Sequence, residues 1–261
     1  GSPDPAVDME VMSVAWQLYS SLGFKGLSFQ LNSTGCPTCR PGYVQELVDY
    51  YERHEDAICE DCLRRLERNP LRLLDCKTPG CQPIIAEAPR IQEYLCPVCE
   101  EHFATLRRYM DDLGRPHTVN HTLVRGLDYY TRTVFEVWAQ GIGAQNAICG
   151  GGRYDGLAEE IGGEPTPGIG FGSGMERLVL TMREQGIEVP GAPTPDVALV
   201  YHGQEAKRRS LEILEMLRAE GIPATITFDD RSFKAQFRDA DRTNARYALV
   251  LGERELAENE I

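Results

Sequence analysis

Three short segments between residues 123 and 178 set arginine, tyrosine and aspartate beside glycine. They read Leu-Val-Arg-Gly-Leu-Asp-Tyr-Tyr from Leu123, Gly-Gly-Arg-Tyr-Asp-Gly-Leu from Gly151, and Gly-Ile-Gly-Phe-Gly-Ser-Gly-Met-Glu-Arg-Leu from Gly168. Arg125 carries a permanently charged, planar fork that can donate two parallel hydrogen bonds to a phosphate or carboxylate. Tyr130 and Tyr154 offer hydroxyls to a polar ligand. Gly170, Gly172 and Gly174 leave one face of an extended segment bare, a place for a flat ring or a close backbone. Arg177 follows at the start of a helical pattern, where unpaired backbone N–H groups already favour phosphate. In combination these residues suit a pocket that binds a small polar molecule next to a nucleotide phosphate. The third segment is not a dinucleotide Gly-x-Gly-x-x-Gly turn, because its third glycine falls two residues after the second.

The elements that must hold these side chains can be read from periodicity. Residues 129–137 alternate and are rich in aromatic and β-branched types, so a strand is expected, on which only one of Tyr129 and Tyr130 could face a given pocket. The glycine triplet at 150–152 permits positive φ angles or close approach of a ligand, or else makes a hairpin turn. A helix is expected over about 8–22, capped by Asp4 or Asp8. Residues 1–35 and 118–189 read as pieces of one antiparallel sheet with flanking helices. Between them, 36–117 is mostly helical, with segments at 43–54, 61–68 and 91–113. The Pro- and Gly-rich linker 190–195 leads to 196–261, where strands at 196–201, 224–228 and 247–252 alternate with helices at 204–220 and 231–244. That order predicts a parallel α/β unit. The fold class is α+β.

Eight of the nine cysteines fall in the helical segment as the pairs Cys36/Cys39, Cys59/Cys62, Cys76/Cys81 and Cys96/Cys99. Such pairs suit two tetrahedral zinc sites, or one with a remainder, or reduced and inert thiols. Spacing does not say which pairs would share a metal. Cys149 stands apart and reads as strand packing; His102, His117 and His121 lack ligand spacing.

Length, at 261 residues, allows two domains, and the net charge of −13 argues against a protein that simply coats nucleic acid. Between residues 201 and 247 acidic and basic residues nearly balance. That stretch is the candidate local surface for RNA, although two solvated helix faces would give the same balance. No apolar run approaches membrane-spanning length and no secretion signal is evident, so a cytoplasmic protein is expected.

The three segments resemble the two histidine-specific signatures and motif 3 of histidyl-tRNA synthetases, a class II aminoacyl-tRNA synthetase family. The likeness extends to Asn32-Ser33-Thr34-Gly35-Cys36, to Arg68-Asn69-Pro70-Leu71-Arg72 and to residues 245–252. It implies activation of histidine by ATP with Mg2+ to histidyl-adenylate, then transfer to tRNA(His). By this resemblance Arg125 is the catalytic cation on the α-phosphate, and Tyr130 and Tyr154 bind histidine. Gly170, Gly172, Gly174 and Arg177 bind ATP. Residues 36–117 would be an insertion touching the acceptor arm, and 196–261 an anticodon-binding-like domain. Zinc has no place in the family's catalytic machinery. Motifs 1 and 2 of the class and the last C-terminal elements are not recognisable. The expectation is therefore a fragment, inactive alone, of an enzyme that is a homodimer. Two rival readings remain: a non-catalytic histidine-binding paralogue of the ATP phosphoribosyltransferase regulatory subunit type, and a pure RNA-binding or zinc module.

Overall fold

A computed structural model describes residues 1–126, 128–141, 147–189, 191, 193–229 and 231–258. Leu127 of the first motif, Pro190 and Ala192 of the expected linker, and positions 259–261 of the expected last domain lie outside the described residues. The chain divides into two compact units, Gly1–Glu188 and Val189–Ile261.

The first unit opens with α1 (Pro5–Ser21), which Asp4 caps by accepting a hydrogen bond from the Ala6 amide at 2.8 Å. Its buried stripe of Met9, Met12, Ala15 and Tyr19 faces the sheet. Next come β1 (Ser28–Ser33), α2 (Arg40–Glu52), α3 (Glu60–Arg68), α4 (Gln82–Ala86) and α5 (Pro97–Asp112), with short 3-10 turns at Pro70–Asp75, Pro79–Cys81 and Ile91–Glu93. β2 (His117–Val119), β3 (Thr131–Trp138), β4 (Ala147–Arg153), α6 (Leu157–Glu160), β5 (Ile169–Ser173) and α7 (Met175–Glu184) complete it. The sheet runs in the order β2-β1-β3-β4-β5, antiparallel apart from the parallel β1–β2 edge.

Among the described residues this unit has two large cores and a smaller cluster at the site. One buries Phe29, Leu31, Phe135 and Val137 of the sheet against α1 and against Phe103, Leu106 and Met110 of α5. The other gathers Tyr43, Leu47, Tyr51, Leu73, Ile85 and Ile91 around three buried cysteines. The helix expected over 91–113 is thus interrupted: Pro97 starts α5, and α5 packs on the sheet core rather than within the cysteine-rich one.

The strand expected from Tyr129 begins at Thr131 instead, because Asp128 and Tyr129 occupy a turn. The glycine triplet is neither a hairpin turn nor a positive-φ segment. All three glycines are buried inside β4, a strand paired on both sides.

In the second unit, β6 (Val197–Tyr201) lies between β7 (Ala224–Ile226) and β8 (Tyr247–Leu251), all parallel. α8 (Gln204–Ala219), α9 (Phe233–Arg242) and α10 (Glu253–Glu258) accompany them. The Gln236 side chain accepts from the Tyr201 amide at 3.0 Å and donates to its carbonyl at 2.9 Å, which pins α9 to the central strand. Gly221, with φ +75°, ends the turn after α8 as the sequence suggests. Among the described residues, no helix is long and apolar enough to cross a membrane.

Candidate active site

The site forms on one face of the sheet because glycine replaces side chains there. Glu136 of β3 pairs with Gly150 of β4, which pairs with Gly172 of β5. The Arg125 guanidinium lies against Gly150, and a Cβ at that position would collide with it. Arg125 Nη1 donates to Glu136 Oε1 at 2.9 Å, while Trp138 Nε1 donates to Glu136 Oε2 at 3.0 Å. The carboxylate therefore aims the fork, and the fork stays partly open, with its side chain 30% exposed. Among the described residues, Arg125 Nε is buried without a hydrogen-bond partner.

One strand-step along, the Tyr130 ring covers Gly152 and the Tyr154 ring covers Gly168 and Gly170. Tyr130 is buried with Leu123 and Val134, and Tyr129 and Tyr154 pack against this cluster. The Tyr129 and Tyr130 rings are 4.8 Å apart, and those of Tyr129 and Tyr154 are 6.0 Å apart. Adjacent tyrosines reach the same cluster because they precede the strand, so the alternation expected of strand residues does not govern them. Burial raises the Tyr129 phenol above its ordinary range. Gly172, by contrast, has nothing among the described residues within 4 Å of where a Cβ would stand, whereas Tyr154 fills the space at Gly170. Gly174 precedes α7, and Arg177 sits in its first turn.

Two hollows adjoin this face. One, of about 230 Å³, is lined by residues including Thr34, Arg40, Asn69, Arg125, Asp128 and Tyr130. The other, of about 780 Å³, sets Glu136, Trp138 and Arg177 opposite Arg65, Lys77 and Thr78. Arg125 and Tyr130 line the first hollow and Arg177 the second, while Tyr154 and Gly172 lie on the same glycine-lined face.

Two supporting residues, Arg40 and Asn69, are not expected at the site from the sequence, although Asn69 lies in one of the resembling segments. Arg40 donates to the Thr34 carbonyl at 2.8 Å and to the carbonyls of Asp128 and Tyr130, which holds the turn before β3. Asn69 Nδ2 donates to Asp128 Oδ1 at 2.6 Å.

Arg153 is the largest surprise. It is fully buried on the opposite face, and its guanidinium is bound to the Asp8 carboxylate, to Asp155 and to the carbonyls of Ser2 and Asp4. Thr133 and His102 also donate to Asp8, at 2.6 and 2.8 Å. Burial opposes ionisation of Asp8, yet the hydrogen bonds from His102, Arg153 and Thr133 outweigh it and hold its pKa below the ordinary value. Arg153 therefore ties α1 to β4 and takes no part in the pocket, although its motif places it beside Tyr154. His102, which has no ligand spacing, belongs to the same buried network.

The eight paired cysteines gather into two sets, Cys36/Cys39/Cys96/Cys99 and Cys59/Cys62/Cys76/Cys81, with the sulfurs of each set within 4.8 Å of one another. Cys149 is buried in β4, and burial pushes its thiol up, which suits packing and not nucleophilic attack.

The histidyl-tRNA synthetase family model matches residues 82–178, and an anticodon-binding domain model matches 196–261. The chain is 45% identical over its whole length to the histidine–tRNA ligase of Caldanaerobacter subterraneus, and 48% identical to that of Pelotomaculum thermopropionicum. The crystal structure of apo S. aureus histidyl-tRNA synthetase aligns over 99% of the chain at 37% identity, with a TM-score of 0.69. Over its whole length the chain is similar to histidyl-tRNA synthetases. It spans 61–63% of the length of those two ligases and 64% of the S. aureus chain. A Bacillus halodurans structure described as an ATP phosphoribosyltransferase regulatory subunit/histidyl-tRNA synthetase shares the fold at 18% identity and a TM-score of 0.56. The family's class II catalytic and anticodon-binding domains account for the antiparallel sheet of the first unit and the α/β build of the second.

Proposed function

We propose that the protein acts as a histidine–tRNA ligase, with this chain supplying the arginine that stabilises adenylate formation. The observation that carries this reading is Arg125, held over Gly150 by Glu136 beside the open face at Gly172. Attack of the histidine carboxylate on the α-phosphorus of ATP forms a C–O–P bond and breaks the bond to the leaving pyrophosphate. Negative charge grows on the α-phosphoryl oxygens meanwhile, and a pre-aimed guanidinium stabilises it without reorganising. Arg177, at the start of α7, would contact the triphosphate, with Mg2+ bound to the same phosphates. Gly172 and Gly174 leave room for the adenine. Gly170 serves that surface by seating Tyr154. Tyr130 and Tyr154 would meet the imidazole, which a polar site distinguishes from apolar isosteres. In the second step a terminal ribose hydroxyl of tRNA(His) attacks the activated carbonyl and AMP leaves.

The packing supports a finer domain reading. Residues from Cys36 to about Leu95 would be the insertion facing the acceptor arm, with α5 returned to the catalytic core, and 196–261 would contact the anticodon. A homodimer and a cytoplasmic location go with the ligase reading. Zinc would take no part in either chemical step; the cysteine sets would hold it as a staple. The regulatory reading is less supported, because the relatives at 45–48% identity are ligases and the regulatory-type neighbour shares only the fold.

Calorimetric titration with histidine tests the pocket. Tyr130→Phe and Tyr154→Phe should each weaken binding by roughly tenfold, the size of one lost hydrogen bond to a polar ligand. Unchanged affinity in both would remove the tyrosines from the site.

A further inference from the structure

We propose that the protein binds two structural zinc ions, one held by Cys36, Cys39, Cys96 and Cys99 and the other by Cys59, Cys62, Cys76 and Cys81. A tetrahedral zinc with bonds of about 2.3 Å to sulfur requires sulfurs about 3.8 Å apart. The sulfur separations are 3.7 Å for Cys36–Cys39, 3.8 Å for Cys36–Cys96 and 3.8 Å for Cys59–Cys76. These are far beyond a disulfide bond of about 2 Å, and all four sulfurs of each set lie within 4.8 Å of one another, as a shared ion requires.

The surroundings treat the sulfurs as acceptors. The Cys36 amide donates to Cys39 Sγ at 3.3 Å, the Cys59 amide to Cys81 Sγ at 3.3 Å and the Thr78 amide to Cys76 Sγ at 3.4 Å. The Thr78 hydroxyl approaches Cys59 Sγ at 3.6 Å. Donors aimed at metal-bound thiolates orient them and disperse their charge. Gly35 shows the closeness required: its φ is +65°, and a Cβ there would stand 2.9 Å from Cys39 Sγ.

Each set joins segments that a small core could not hold alone. The first brings Cys36 and Cys39, at the entrance of α2, to Cys96 and Cys99 at the start of α5, across 60 residues. It closes the cysteine-rich segment at its base, and Arg40, which braces the Tyr130 carbonyl, is the next residue after Cys39. The second fixes the start of α3 to the turns around Cys76 and Cys81. Four thiolates in a tetrahedron suit zinc or iron, and each ion entering displaces the thiol protons to solvent without any redox change.

Elemental analysis of the protein purified under reducing conditions tests this. Two zinc ions per chain are expected, and Cys149→Ser should retain both. The double variant Cys36→Ser/Cys96→Ser should keep one zinc, whereas Cys36→Ser/Cys76→Ser should keep none. Cobalt substitution of the unaltered protein gives a readout that needs no variant: two cobalt ions per chain with the absorption of a tetrahedral tetrathiolate. Fewer than one metal ion per chain together with no cobalt spectrum would overturn the proposal. So would retention of one zinc by the mixed-set variant and none by the single-set variant, or iron at both sites.

Discussion

At the residue scale, the site depends on glycines for two separate reasons. Gly150 is empty because Arg125 fills the space, so Gly150→Ala must push the guanidinium off its line with Glu136. Losing one pre-aimed stabiliser of this kind costs roughly 10²–10³ in turnover. Gly150→Ala should therefore approach Arg125→Ala in kcat for amino-acid activation, measured at saturating substrates. Gly172 differs because, among the described residues, nothing stands within 4 Å of where its Cβ would be. Gly172→Ala should leave the melting temperature within about 2 °C while raising the KM for ATP several-fold, since a surface methyl without a clash costs little. Equal effects of the two substitutions on kcat, or an unaffected KM at Gly172→Ala, would contradict these separate roles. That Arg125, Tyr130 and Tyr154 share one glycine-lined face is legible because unlike polar residues stand beside glycine in their motifs. Arg153 carries the same local signal and serves the core, since the sequence around it does not reveal Asp8, 145 positions away.

At the scale of elements, α1, β3, β4 and α5 are locked by the Asp8 network. Asp8 and Arg153 are both completely buried, so removing one charge strands the other. Asp8→Asn should destabilise the first unit by roughly 3–5 kcal/mol, read by chemical denaturation. The pH dependence has a definite sign. The folded pKa of Asp8 lies below its ordinary 3.8, so the unfolded chain takes up the proton first as pH falls. The stability it contributes is complete well above that value and drains away as pH drops through it and below. Asp8→Asn should lose less stability than the unaltered protein between about pH 5 and pH 3; equal losses would show that Asp8 is not the group responsible. Long helical segments such as α1 and α8, and the continuous apolar run of β6, are legible from the local sequence. The start of β3, the turns between α3 and α5, and the place of the glycine triplet inside a strand are not, since tertiary contacts decide them. The cysteine pairing is likewise absent from spacing and present only once Cys36 and Cys96 meet.

At the scale of the whole molecule, the negative charge and the family's RNA chemistry are compatible if recognition is local. The basic residues of the second unit are a weaker guide to that surface than their number suggests. Arg208, Arg209, Arg231 and Arg242 each pair with a nearby carboxylate, as solvated helix faces do. The most direct measurement of the reaction at Arg125 is ATP–pyrophosphate exchange by the full-length protein that carries this chain, over a panel of amino acids, with Arg125→Ala alongside. Exchange with histidine alone, slowed at least a hundredfold in the variant, is the expected result. Histidine binding with no exchange, or exchange unaffected by Arg125→Ala, would contradict it.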